Sequence, residues 1–148
     1  MLTFGEKEPE KDYIVRPAVY GLMFDASREK MAVIQTGSGN YFLPGGGIEN
    51  SETHKACLKR EALEEMGLEI TISRLIGSAN QYFYAKNEDT HYLNEGHFYK
   101  IVMGKRVAEP SDEDHQLKWM KPSEAVDCLV HDHQRWAVKE YDFDRKER

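Results

Sequence analysis

Apolar and β-forming residues crowd into Tyr13–Phe24, and this segment reads as a strand. A polar turn over 25–30 leads to Met31–Gln35, a second strand, so the pair is expected to form a hairpin. Residues 36–40 break the chain again before a short Tyr41-Phe42-Leu43 stretch. Pro44 and the three glycines Gly45–Gly47 then make a loop that only small residues allow. From Ser51 to Met66 the pattern predicts a helix, capped by Asn50 or Ser51 and stopped by Gly67. Ile70–Leu75, Ser78–Ala85 and His91–Met103 are strand-like, with a hairpin turn over 86–90. His115–Met120 reads as another strand, residues 122–125 as a short helical start and His131–Tyr141 as a final helix. Residues 1–11 are polar and are expected to be a mobile tail. One α/β domain over 1–148 is expected, a mixed sheet flanked by two helices.

On a wheel at about 100° per residue, Glu61, Glu64 and Glu65 share one face of the predicted helix. Ala56, Ala62, Leu63 and Met66 fall on the other face, expected to pack on the sheet while the acids point away. A Glu-rich face is most often plain solvated surface. Here, however, like charges at i,i+3 and i,i+4 oppose the helix. In a partly buried site each pair would repel by roughly 3 kcal/mol at ~6 Å and an effective dielectric of ~20. A hard divalent cation turns that repulsion into binding, and three carboxylates suit Mg²⁺ or Mn²⁺. The glycines ahead of the helix let a backbone carbonyl turn toward such an ion and let a substrate approach the main chain. A Gly-rich turn before a helix start also suits phosphate.

Composition narrows the ligand. The 20 basic residues are scattered in a chain of net charge −6, so the basic stripe of a nucleic-acid-polymer binder is missing and a small anionic ligand is favoured. The longest apolar run, Pro17–Phe24, is far too short to span a bilayer, and the charged N-terminus does not read as a signal peptide. Cys57 and Cys128 form no CxxC pair, which fits a reducing compartment, and the cytoplasm is the expected location. His131 and His133 stand at i,i+2 with no third ligand nearby, and read as a polar helix start rather than a metal site. Trp119 and Trp136 sit in apolar contexts and are expected in the core.

One motif is specific. Gly46, Glu52 and the run Arg60-Glu61-Ala62-Leu63-Glu64-Glu65-Met66-Gly67-Leu68 resemble the Nudix hydrolase (MutT-like) signature G-x5-E-x7-R-E-U-x-E-E-x-G-U, where U is a bulky aliphatic. Each fixed position matches; the departure is Ala62, where the signature expects a larger aliphatic. The lead-in Leu43-Pro44-Gly45-Gly46-Gly47 is also similar to the family's. The resemblance implies an α/β/α sandwich and hydrolysis of a nucleoside diphosphate linked to another moiety, with Mg²⁺ or Mn²⁺. It implies that Glu61 and Glu65 are the main metal ligands, joined by Glu64 and the Gly45 carbonyl, with Arg60 and Glu52 bracing the loop on the helix.

Members of that family differ in the carboxylate that takes the proton of the attacking water. Some use a helix glutamate, such as Glu61 or Glu64 here, and others a later acid. Asp112, Glu113, Asp114 and Glu95 are the late candidates, and Glu113 is preferred. Tyr84 stands near where dinucleoside polyphosphate hydrolases of the family carry a tyrosine, and is a candidate platform for a base. A ligand-sensing domain that does not cleave is the rival class, but such domains tend to lose the motif acids that this chain keeps. A small nucleotide-type partner is expected, with no membrane or nucleic-acid polymer, and a homodimer is compatible with the sequence.

Overall fold

The computed structural model describes residues 1–146. Its elements are β1 (Leu2–Phe4), β2 (Tyr13–Met23), β3 (Met31–Thr36), β4 (Tyr41–Phe42), β5 (Gly45–Gly47), α1 (His54–Met66), β6 (Leu68–Ala85), β7 (Thr90–Arg106), β8 (His115–Met120), α2 (Pro122–Cys128) and α3 (Asp132–Lys146). The strands divide between a larger mixed sheet, β1-β6-β7-β2-β5, and a smaller antiparallel one, β4-β3-β8. The expected β2–β3 hairpin therefore opens. The bridge Phe24↔Met31 and the Asp25 N–H to Lys30 carbonyl bond join its two arms at the turn, and β3 leaves to pair with β8.

β2 organises the molecule. It pairs in parallel with β7 along its whole length and antiparallel with β5 through Ala18↔Gly47, Val19↔Gly46 and Tyr20↔Gly45. Its side chains alternate between two cores, as a strand's must. Ala18, Tyr20 and Leu22 pack with Phe98, Leu129, Ala137 and Val138 beneath α2 and α3. Val19 and Met23 pack with Cys57, Leu58, Ala62 and Met66 beneath α1. Trp136 and Trp119 pack against these two cores while remaining partly exposed.

Three further expectations change, besides the Gly45–Gly47 loop, which is itself a short strand, β5. Residues 2–4 are not a free tail, because β1 adds in parallel to β6 through Leu2↔Ala79, Thr3↔Asn80 and Phe4↔Gln81. Helix α1 starts later than expected and is capped by Thr53, whose hydroxyl accepts from the Ala56 N–H at 3.1 Å. Asn50 and Ser51 cannot cap, since both take left-handed backbone with φ of 47° and 60° and make the turn before the helix.

The third change bears on the site. The buried residues of α1 are Cys57, Leu58, Ala62, Glu65 and Met66, whereas Ala56 is exposed and Leu63 is 40% exposed. On the wheel the buried arc is centred near Glu65, so the acidic and packed faces overlap instead of standing opposite. The cause is that α1 touches both sheets, meeting Val19, Ile70 and Ile101 of the larger and Ala32, Ile34 and Leu117 of the smaller. A helix covered from two sides must bury a broad arc, and here that arc includes carboxylates.

Beneath α3 lies a buried polar group. His133 is fully buried, with Nε2 3.1 Å from Asn94 Oδ1 and no partner for Nδ1. Burial pushes its pKa down to about 3, helped by the nearby charge of His131, and burial pushes His131 to about 4. A histidine whose folded pKa lies below its unfolded value of about 6.5 leaves stability intact above that value and erodes it as pH falls. Urea unfolding at pH 7, 6 and 5 is expected to show stability falling by about 1.4 kcal/mol per pH unit for each such histidine once well below 6.5. His133→Gln should flatten the fall, and an equally steep fall in that variant would contradict the assignment.

Candidate active site

The site forms where β5 meets α1. Gly45 has φ +136°, and a Cβ there would lie 2.7 Å from Tyr20 Cα, so any side chain is excluded. At Gly46 a Cβ would lie 2.8 Å from Glu61 Oε1, so the bare backbone opens space beside that carboxylate. The Gly45 N–H donates to Glu65 Oε1 at 2.9 Å, tying the glycine strand to the buried acid of α1.

Arg60 is the local counter-charge. Its Nε and Nη2 donate to the two oxygens of Glu52 at 2.7 and 2.9 Å, and Nη2 also reaches the Gly47 carbonyl at 3.1 Å. Its Nη1 donates to Glu61 Oε1 at 2.9 Å and approaches Glu64 Oε2 at 3.3 Å. The bidentate Arg60 contact holds Glu52 down to about 2, and Glu52 in turn accepts from the Glu49 N–H at 2.9 Å. Arg60 thus joins the turn, the glycine strand and the helix.

The remaining acids are short of positive charge. Burial, then the charge of Glu65, pushes Glu61 up to about 7 despite the Arg60 contact. Burial also raises Glu65, although His115 and the Gly45 N–H favour its charged form. His115 Nδ1 stands 3.4 Å from Glu65 Oε2 and 3.0 Å from Asp112 Oδ2, and these acids, Glu65 first, raise its pKa. Among the described residues no three acidic, His or Cys side chains converge closely enough to hold a metal as they stand. Arg60 occupies Glu61 and Glu64, and Glu65 is turned to Gly45 and His115.

Of the expected residues, Gly45, Glu52, Arg60, Glu61 and Glu65 come together. Glu64 lies on the rim, its side chain 44% exposed, and lines an open cleft with Ser111, Asp112, Glu113 and Asp114. Glu113 is exposed in that cleft, while Asp112 is the acid anchored to the site, through His115 and through its N–H to the Glu64 carbonyl at 3.0 Å. Tyr84 lies at the tip of the β6–β7 hairpin, with its hydroxyl donating to Asp89 at 2.5 Å and its ring against His91. None of its described contacts is with the glutamate cluster.

A different aromatic group adjoins the glycine strand. Phe83, on the opposite face of β6 from Tyr84, stacks on Tyr92 at 5.4 Å and meets His131 at 4.6 Å, and His131 meets Phe42 at 5.5 Å. The Arg16 guanidinium lies 5.8 Å from the Tyr92 ring centre and also packs over Gly47. Sequence reading missed this half-buried cluster because its members come from four separated segments. His131 and His133, expected as a polar helix start, flank Asp132 there, and His131 supplies one of the rings.

The electrostatics carry a stability consequence. An acid whose folded pKa is raised costs nothing below its unfolded value near 4.5 and most above its folded value, here about 7. With chelator present, Glu61→Gln should match wild type at pH 4 and exceed it at pH 8 by about 1–2 kcal/mol after allowance for solvent screening. Urea midpoints at the two pH values check this, and a variant less stable at pH 8 would contradict it.

Comparison with known proteins bears on the fold and the family. The NUDIX domain family matches residues 15–141. Nudix hydrolase 16, mitochondrial, from Arabidopsis thaliana is 30% identical over 128 residues, covering 78% of this chain and 69% of its own length. The MutT protein from Methanosarcina mazei Go1 superposes with a TM-score of 0.66 at 18% identity, over 94% of this chain and 99% of its own. An ADP-ribose pyrophosphatase from Streptococcus suis superposes with a TM-score of 0.62 at 17% identity, over 86% and 91%. At such identities the superpositions speak for the fold, while the family match over 15–141 and the plant relative speak for descent: the chain belongs to the Nudix hydrolase family.

Proposed function

We propose that this chain hydrolyses the phosphate anhydride of a nucleoside diphosphate linked to a second moiety, with the help of Mg²⁺ or Mn²⁺. The observation that carries the reading is the undercompensated negative charge at Glu61 and Glu65 beside a glycine strand that admits no side chain. The donor set fits a hard cation, because it is all oxygen and partly buried, and positive charge is what it lacks. Glu61, Glu64, Glu65 and the Gly45 carbonyl would hold the ion, relieving Arg60 as the counter-charge of Glu61 and Glu64. When bound, such a cation polarises phosphate oxygens and lowers the pKa of water.

The protein's own residues do the rest. Arg60 and Glu52 hold the glycine strand against α1 through the Gly47 carbonyl, so the backbone beside the carboxylates is in place before cation and substrate arrive. We assign the proton released by the attacking water to Glu113, an exposed carboxylate in the same cleft as Glu64. The Phe83–Tyr92–His131–Phe42 cluster, with Arg16 at its edge, would offer the base a ring face in place of Tyr84. A solved neighbour bears the name of an ADP-ribose pyrophosphatase, which makes ADP-ribose a reasonable first substrate to test. One catalytic unit over the chain and the free thiols Cys57 and Cys128 suit a nucleotide enzyme of a reducing compartment such as the cytoplasm. Retention of every motif acid disfavours the sensor alternative.

A phosphate-release screen over nucleoside triphosphates, dinucleoside polyphosphates, nucleotide sugars and ADP-ribose tests the reading. Turnover should vanish with chelator and return with Mg²⁺ or Mn²⁺. Glu65→Gln should cost ~10³-fold in kcat, equivalent to ~4 kcal/mol. Near-normal turnover of that variant at saturating metal would remove Glu65 from the site.

The base slot has its own test. A stacking platform contributes ~1–3 kcal/mol, so Phe83→Ala should raise KM by roughly 5- to 150-fold while Tyr84→Ala leaves it unchanged. The reverse pattern would restore Tyr84 and the dinucleoside polyphosphate alternative with it.

A further inference from the structure

Gln134 is fully buried in the first turn of α3, and its Oε1 accepts from the Leu43 N–H at 2.8 Å across 91 positions of sequence. Its Nε2 meets no full hydrogen-bond geometry, while Gln134 also acts on the Tyr20 hydroxyl, favouring its ionised form against burial. A buried amide is a poor way to fill space, because an apolar side chain of similar volume would do so without the desolvation penalty. The use of this glutamine therefore lies in the polar groups that it holds, the Leu43 amide first among them.

That bond fixes the first residue of a segment whose next two are fixed by other elements. The Pro44 carbonyl accepts from the Gly21 N–H of β2 at 2.8 Å, and the Gly45 N–H donates to Glu65 of α1 at 2.9 Å. Helix α3, strand β2 and helix α1 thus each hold one of three successive residues. The floor beneath them belongs to the same network. Tyr20, paired with Gly45, accepts at its hydroxyl from Asn94 Nδ2 at 2.8 Å, and Asn94 Oδ1 stands 3.1 Å from His133, the neighbour of Gln134.

We propose that Gln134 is a positioning residue for the carboxylate site. By holding the Leu43 amide it sets the course of Leu43-Pro44-Gly45, and so the direction of the Gly45 N–H that orients Glu65. It acts through Glu65 and touches neither cation nor substrate. The inference rests on the metal-assisted reading above, and deepens it by extending the site to a helix that the signature motif does not include.

The test uses the full chain and Mn²⁺ alone, with free Mn²⁺ followed by electron paramagnetic resonance. Gln134→Leu removes the acceptor, Gln134→Glu keeps one, and Val138→Ala loosens α3 at a buried position one turn further on while leaving both partners of the Gln134–Leu43 bond in place. Losing an outer-shell partner typically weakens metal affinity by 10- to 100-fold, so Gln134→Leu should weaken Mn²⁺ binding by about 10-fold or more. Gln134→Glu should restore most of that affinity, and Val138→Ala should leave it unchanged. Should Gln134→Leu fail to fold, Gln134→Met removes the oxygen acceptor with a better match of shape and is expected to behave alike. Wild-type affinity in the Leu or Met variant, or equal weakening by Val138→Ala, would overturn the proposal while leaving the metal reading intact. Absence of Mn²⁺ binding by wild type would instead remove the metal reading, and this inference with it.

Discussion

Glu65 is a carboxylate on the packed face of a helix, and the surrounding structure is arranged to tolerate it. Taking an ionised carboxylate out of water costs several kcal/mol unless hydrogen bonds and opposite charge offset the loss. Here the offset comes from the Gly45 N–H on one oxygen and His115 near the other, each from a different part of the chain. The glycine strand must therefore lie against α1, which requires β5 to pair with β2 and the backbone at Gly45 to take a conformation that excludes side chains. Arg60 performs the corresponding service for Glu61 and Glu52. Packing alone would place apolar residues at 61 and 65. Their acidity is a stability cost, and a break of the local rule of this kind is what a functional site is expected to show.

Much of this was legible in the sequence, and the failures share a cause. Strands β2, β6 and β7, the stop at Gly67 and the cluster of Glu52, Arg60, Glu61 and Glu65 follow from local pattern and a local motif. The helix wheel gave the wrong orientation because it assumes a single neighbour, whereas α1 is covered by two sheets. Ala56 looked like core and is exposed; Glu65 looked like surface and is buried. Asn50 looked like a cap, but the tight turn that delivers Glu52 to Arg60 takes it into left-handed backbone. Residues 2–4 looked like a tail because a three-residue parallel strand leaves almost no periodic trace.

Contacts between distant segments were invisible for the same reason. The slot of Phe42, Phe83, Tyr92 and His131 and the bond from Gln134 to Leu43 join residues from opposite halves of the chain. Tyr84 was conspicuous by its spacing alone, and the alternation of a strand puts it on the face away from Phe83 and the aromatic cluster.

The parallel pairing of β2 with β7 also sets an order of events during folding. Its partners, from Tyr13↔His91 to Met23↔Ile101, are separated by more than half of the chain, whereas β6 and β7 meet through a short hairpin turn. Closing the small loop first and the large one later is the entropically cheaper route. β2, and the glycine strand beside it, is thus expected to dock onto a preformed hairpin. During synthesis β2 leaves the ribosome early and must wait for β7, and the Leu43 amide waits longer still, until α3 has emerged. Until then an eleven-residue strand with apolar side chains stands without its partner, and this is the interval in which the nascent chain is most open to capture by a chaperone or by another copy of itself.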